Sequence, residues 1–261
     1  LAAPYVFGPL ALQMLTARDG NAEVNRAFQR PPFTQRLFVD PSVAFAKQHV
    51  VAVRDPSPGR GEHTVGKSDS FGAFDLYLSL AARIDPVSAI AAARGWRGGR
   101  IVSVNGPDGE CARVTLAGSN KKATAEMTTQ LRAWSATFPN GTVTVTPGRT
   151  VAFKACDPGK KSEGASPDPA IERSLAALQL HSELEAGLAS SGATPEQAGC
   201  LALALTGSPE FRALLERPVR SLAAQGVDPR AVNVDWVALR SRQKDRSIGD
   251  VKAELLLDRI A

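Results

Sequence analysis

The sequence predicts an α+β protein: an antiparallel four-stranded sheet in the order α-β-β-α-β-β with helices on one face, followed by a C-terminal helical bundle. Three observations carry this reading. Two pairs of short β runs each close on a turn cluster, Asn105-Gly106-Pro107-Asp108-Gly109 and Pro147-Gly148-Arg149, which is a hairpin signature. A helical period precedes each pair. Beyond residue 168 the apolar spacing becomes wholly helical.

Residues 1–30 read as two short helices. In the second, Ala22, Val24, Ala27 and Phe28 alternate with polar residues until Pro31-Pro32, which lack the backbone donor and clash with the preceding turn. Residues 31–69 form a proline-punctuated passage, long for a connection inside a compact domain. It is expected to wrap the surface, docking Leu37, Phe38 and Val39 on the core and offering Val50–Val53 as a short strand. Residues 1–69 are therefore taken as N-terminal helices plus a wrapping segment.

Residues 70–156 make up the sheet module. Phe71, Phe74, Leu78, Ala81 and Ala82 recur at helical spacing behind a Ser68/Asp69 cap. Asp85-Pro86 then opens a second helix, with proline at its first position. The runs 101–104 and 111–116 form one hairpin. Asn120 caps a helix over 121–138 whose Ala125, Thr128, Leu131, Trp134 and Phe138 form one stripe, and 142–146 with 150–155 form the second hairpin. Residues 157–168, nearly devoid of apolar side chains, are the linker. Residues 169–261 are read as about five short helices, because a cap-then-proline device recurs at Thr194-Pro195, Ser208-Pro209 and Asp228-Pro229, the first as a capping box with Gln197.

Composition bounds the function. An apolar fraction of 43% and a charged fraction of 22% over 261 residues are ordinary for a chain that buries a core. The formal charge is +5, and its excess sits in residues 86–168, with 11 basic against 6 acidic side chains. Such a patch suits an anionic partner or simple solvation. Aromatic residues are only 6%, without the interleaving that a nucleic-acid surface needs, so no nucleic acid is expected. Apolar stretches fall short of the roughly 20 residues that span a bilayer. The chain opens on Leu1-Ala2-Ala3-Pro4-Tyr5-Val6-Phe7, an uncapped apolar run that reads as a cut inside a longer protein, whose leader or anchor would lie upstream.

No constellation for catalysis emerges. The histidines His49, His63 and His181 sit in no H-E-x-x-H or H-x-x-x-H pattern, and no G-x-S-x-G elbow accompanies them. His181 and Glu185 share a helix face at i, i+4, a spacing typical of a solvated pair. No phosphate-loop glycine pattern occurs, and no cofactor is expected; Gly98-Gly99 are read as turn glycines. The three cysteines lie more than 40 residues apart, against metal-ligand spacing, so no metal site is expected. One disulfide plus a leftover thiol fits an exported protein. Of three pairings, Cys111–Cys156 is preferred because both belong to the sheet module and can meet across neighbouring strands. Three reduced thiols in a cytosolic protein remain the alternative. Arg94, Trp96, Arg97 and Arg100 cluster at the helix-to-strand corner as a candidate contact patch. The structural reading, which the residue types favour, has Trp96 anchoring that corner with the arginines solvated.

Several short motifs resemble a segment of actinobacterial exported or membrane-anchored proteins related to neutral zinc metallopeptidases. They are Pro4-Tyr5-Val6-Phe7-Gly8, the stretch Gly20–Phe28, Pro31-Pro32-Phe33-Thr34, Asp40-Pro41, Ala91–Arg100, Cys111-Ala112-Arg113 and Ala155–Gly159. They are scattered over residues 1–160. The resemblance implies an extracytoplasmic envelope protein with a disulfide of the family's type. It carries over no peptidase activity, since the H-E-x-x-H helix of such enzymes would lie before Leu1. The expectation is thus a non-catalytic extracytoplasmic domain of a cell-envelope protein, a scaffold or partner-binding module facing another envelope protein or an anionic surface. The alternatives are the C-terminal part of a zinc-dependent peptidase, or a lipid- or small-molecule-binding module.

Overall fold

Polar side chains cap the starts of several helices. Asp85 Oδ2 accepts from Ser88 N at 3.0 Å, Asn120 Oδ1 from Ala123 N at 2.9 Å, and Thr194 Oγ1 from Gln197 N at 3.2 Å, each satisfying an otherwise orphaned N–H. The computed structural model describes residues 3–30, 34–45, 49–138, 143–157 and 168–216. The protein is α+β with an antiparallel sheet. The chain divides into two units, and the division falls inside one helix, between Ser174 and Leu175.

One unit comprises residues 32–40 and 47–174 and holds the sheet. Its strands are β1 (His63–Ser70), β2 (Trp96–Gly106), β3 (Gly109–Gly118), β4 (Val143–Thr146) and β5 (Val151–Cys156), in spatial order β1-β2-β3-β5-β4. The sheet therefore has five strands, not four. The additional strand, β1, is a polar edge strand, His-Thr-Val-Gly-Lys-Ser-Asp-Ser, exposed along most of its length, so it has no apolar alternation to betray it. A bulge interrupts it between Val65 and Asp69, where Gly66 takes φ +77°. Ser68 and Asp69 thus belong to a strand and cap no helix. The helix behind them, α3 (Ala73–Ala81), starts at Gly72, whose N–H donates to Asp75 Oδ2 at 2.9 Å.

This unit also holds helices α4 (Pro86–Arg94) and α5 (Lys121–Ser135) and a 3-10 turn over Gln35–Phe38. Helix α5 lies against β2, β3, β4 and β5. Its buried stripe is Thr124, Met127, Thr128, Leu131 and Trp134; Ala125 faces outward, one position off the expected stripe. The ring of Phe153 meets Trp134 edge-on at 5.4 Å and Phe71 at 6.0 Å. Residues paired across an antiparallel ladder share a face, so Val114 opposite Phe153 and Leu116 opposite Val151 join this helix-covered side. Val39 is fully buried and Phe38 stacks edge-on to Phe74 at 5.6 Å, so the wrapping segment does dock there.

The opposite face carries Val102, Val104, Cys111 and Cys156 as a small apolar cluster. Here the irregular residues 49–62 cross the sheet. Val50–Val53 form no strand, because only Val51 N reaches the sheet, donating to Arg97 O at 2.7 Å. Gly98 and Gly99 lie within β2 rather than in a turn. A Cβ at either position would collide with a carbonyl oxygen, of Val51 and of Phe71 respectively.

The other unit comprises residues 1–31, 41–46 and 175–261. Its helices are α1 (Ala3–Asp19), α2 (Asn21–Gln29), α6 (Asp168–Ser190, whose first turns belong to the sheet unit), α7 (Pro195–Thr206) and α8 (Pro209–Glu216), with a 3-10 turn over Pro41–Phe45. The two N-terminal helices expected over 1–30 are α1 and α2. Phe7, Met14, Leu15 and Leu178 are buried in it, and Arg18 lies 4.9 Å over the Phe45 ring. Residues 217–261, including Asp228-Pro229, and most of the 157–168 linker lie outside the described residues. No helix among the described residues is long and apolar enough to cross a membrane.

Candidate functional site

The corner where α4 hands over to β2 is where the four residues singled out from sequence meet the structure. Trp96 is buried, and its indole Nε1 donates to Phe71 O at 3.0 Å, so it anchors the corner. Arg100 leaves the group: its Nε donates to Asp55 Oδ1 at 2.6 Å and its Nη2 to Ser68 Oγ at 2.6 Å. Hydrogen bonds from Arg100 and then Ser68 hold the Asp55 carboxyl below its ordinary value.

Arg94 and Arg97 gather instead around Asp40, with a third arginine, Arg36, that sequence reasoning passed over. Asp40 is 2% exposed. Its Oδ2 accepts from Arg36 Nη2 at 2.7 Å and its Oδ1 lies 3.3 Å from Arg94 Nη2. Arg36 Nε also donates to Arg94 O at 3.0 Å, at the C-terminal end of α4, where cations are favoured. Arg97 donates through Nη1 to Trp96 O at 2.8 Å and Arg94 O at 3.4 Å. Burial pushes the Arg36 guanidinium down to about 10; Arg97 and Arg94 push the same way, and Asp40 opposes them. Arg97 is lowered by burial as well, with Asp40 opposing. The sequence signal for Arg36 and Asp40 was their i, i+4 spacing in Arg36-Leu37-Phe38-Val39-Asp40, easily missed in a segment read as irregular.

The geometry of Arg97 has a backbone cause. Trp96 pairs with Gly118 and Gly98 with Ala117, so Arg97 is the extra residue of a β-bulge and faces no partner on β3. Bulges re-aim a side chain relative to the ladder.

A second charged cluster fastens the irregular segment to the sheet. Glu62 receives Arg113 Nε at 2.5 Å, Lys154 Nζ at 2.8 Å and Gly59 N at 2.6 Å, and Lys154 also reaches Asp108 at 2.5 Å. The hydrogen bonds from Arg113, Lys154 and Gly59 pull the Glu62 carboxyl down to about 2. Lys154 is raised, first by Asp108 and then by Glu62.

The cysteines Cys111 and Cys156 sit directly opposite each other on β3 and β5 and are bonded, with an S–S distance of 2.12 Å and Cα atoms 3.9 Å apart. The next pair outward is hydrogen-bonded, Asp157 N donating to Glu110 O at 2.9 Å. The cysteines therefore occupy the alternate, non-hydrogen-bonded position, where facing side chains approach most closely. Cys200 is exposed and unbonded. A bonded pair of this kind fits a protein that reaches an oxidising, extracellular compartment.

The histidines do not form a site. His49 and His63 are exposed. His181 and Glu185 are both 0% exposed, which overturns the solvated pair expected from their spacing. Nε2 lies 3.5 Å from Glu185 Oε2, Nδ1 lies 3.4 Å from Thr206 Oγ1, and Glu185 Oε1 accepts from Ser42 N at 2.7 Å. This hydroxyl–imidazole–carboxylate line is sealed, and the Thr206 hydroxyl donates to Ala202 O at 2.9 Å. It ties α6, α7 and the 3-10 turn at Pro41 together. Among the described residues, no three of His, Cys, Asp and Glu stand close enough to hold a metal ion.

Comparison with known proteins finds one short likeness. Over 52 residues the chain is 35% identical to the Trigger factor of Solibacter usitatus (strain Ellin6076), a match that covers 20% of this chain and 12% of that protein. No family model matches the chain, and no solved structure does.

Proposed function

We propose that this chain is a non-catalytic, extracytoplasmic part of a cell-envelope protein, in which the sheet unit is a disulfide-braced scaffold that presents a cationic corner to a partner. The observation that carries the reading is the Cys111–Cys156 bond across β3 and β5, which is retained only where thiols are not continually reduced. The resemblance of residues 1–160 to exported proteins related to zinc metallopeptidases supports the same compartment. The partner is another envelope protein or an anionic surface, and the arginines around Asp40 supply the matching charge.

Thiol titration of the denatured, unreduced full-length protein from its native host tests this. One thiol per chain is expected, that of Cys200, and the protein should fractionate with the cell envelope. Three thiols in a cytosolic fraction would overturn the proposal.

A further inference from the structure

At the arginine corner, Arg97 is the guanidinium that the Asp40 carboxylate does not take up. Asp40 spends both oxygens, one on Arg36 and one on Arg94. Arg97 donates only through Nη1, and only to two backbone carbonyls; among the described residues it meets no carboxylate at ion-pairing distance. A half-buried guanidinium whose nearest carboxylate, Asp40, is bonded to other arginines is incompletely compensated, and here a bulge places it so. Bulges recur beside binding sites because they aim a side chain that the ladder would otherwise point elsewhere.

We propose that the Arg36–Arg97 side of this corner is a binding site for a phosphate group. The Nε–Nη2 edge of Arg97 matches phosphate oxygens in paired, charge-assisted hydrogen bonds, and Arg36, with Nε and Nη2 already engaged, adds its charge and Nη1. A carboxylate offers two oxygens, and Asp40 already plays that part. A phosphate offers three or four and a charge approaching −2, which suits adjoining guanidinium groups that repel each other. The site deepens the partner-binding reading above and rests on it. The phosphate comes either as a lipid headgroup or as a free phosphate or phosphomonoester.

The plain alternative is that Arg97 merely caps the carbonyl end of α4. Thermal unfolding of the oxidised full chain in sodium phosphate, against sodium chloride at equal ionic strength, separates the two. The site requires a saturable rise in Tm with phosphate. Measured against its own Tm in chloride, which falls with the loss of two carbonyl hydrogen bonds, Arg97→Gln should bind phosphate about tenfold or more weakly. Arg97→Lys, which keeps the charge but not the fork, should fall between. Arg100→Gln should bind like wild type. Absence of a saturable rise, or an equal rise in Arg97→Gln, overturns the site. Co-sedimentation with phosphatidylcholine vesicles, with and without phosphatidic acid, then assigns the source. Capture by phosphatidic acid that depends on Arg97 marks a lipid headgroup; no capture with the phosphate shift intact marks a free phosphate. The thiol titration tests the compartment independently, so either idea can fail alone.

Discussion

The two faces of the sheet are secured by different physics. On the helix-covered face, Phe153, Val114, Leu116 and Val151 pack with Trp134 and Phe71, and stability there comes from removing apolar surface from water. Among the described residues, no helix packs on the other face. A small cluster of Val102, Val104 and the bonded cysteines is flanked by the Glu62, Arg113 and Lys154 network that holds residues 49–62 down. The first face should tolerate changes of charge nearby and suffer from cavities. The second should respond to reductant and acid.

The largest effect is expected on the helix face. Trp134→Ala should cost about 3–5 kcal/mol in denaturant unfolding, since it removes a buried ring between Phe153 and Phe138. A cost under about 1 kcal/mol would mean that this face is not the main core. Next, replacing Cys111 and Cys156 together by alanine should cost about 2–4 kcal/mol, the range for a crosslink spanning 45 residues. Hydrogen exchange should then rise first in β5 and residues 49–62, with α5 protected. An equal loss on both faces would break the comparison.

The smallest of the three effects concerns Glu62. Its carboxyl is depressed to about 2 in the folded protein, against 4.5 ordinarily. A depressed acid stabilises the fold fully above its ordinary value, and that contribution fades as pH falls toward 2. Glu62→Gln should cost about 1–3 kcal/mol at neutral pH and flatten the acid limb of the stability profile. A variant whose acid limb is as steep as wild type would remove Glu62 from this role.

Much of the fold was legible because it is local. The hairpin turn at Pro107-Asp108, the proline-started helices and the caps at Asp85, Asn120 and Thr194 are properties of a few adjacent residues. The strand β1 was not, because an exposed edge strand needs no apolar period and is selected by pairing with Asn105 through Arg100 on β2. The candidate site was half legible. Arg94 and Arg97 were flagged by proximity in sequence, whereas Arg36, 58 residues from Arg94 in the chain, and Asp40 beside it arrive from a distant segment.

The amino-acid order by itself determined the α+β class, the two hairpins and the capped helix starts at Asp85, Asn120, Thr194 and Ser208, since backbone capping and turn conformations act over three or four residues. Only the tertiary structure decided which charges are paired and which are buried. Spacing put His181 and Glu185 on one helix face, but only packing sealed them. Arg97 and Arg100 stand three residues apart, yet a bulge and the path of residues 49–62 send one to the Asp40 corner and the other to Asp55. The electrostatic environment of a side chain depends on whatever elements close over it, and that is set by long-range packing, not by its neighbours in the chain.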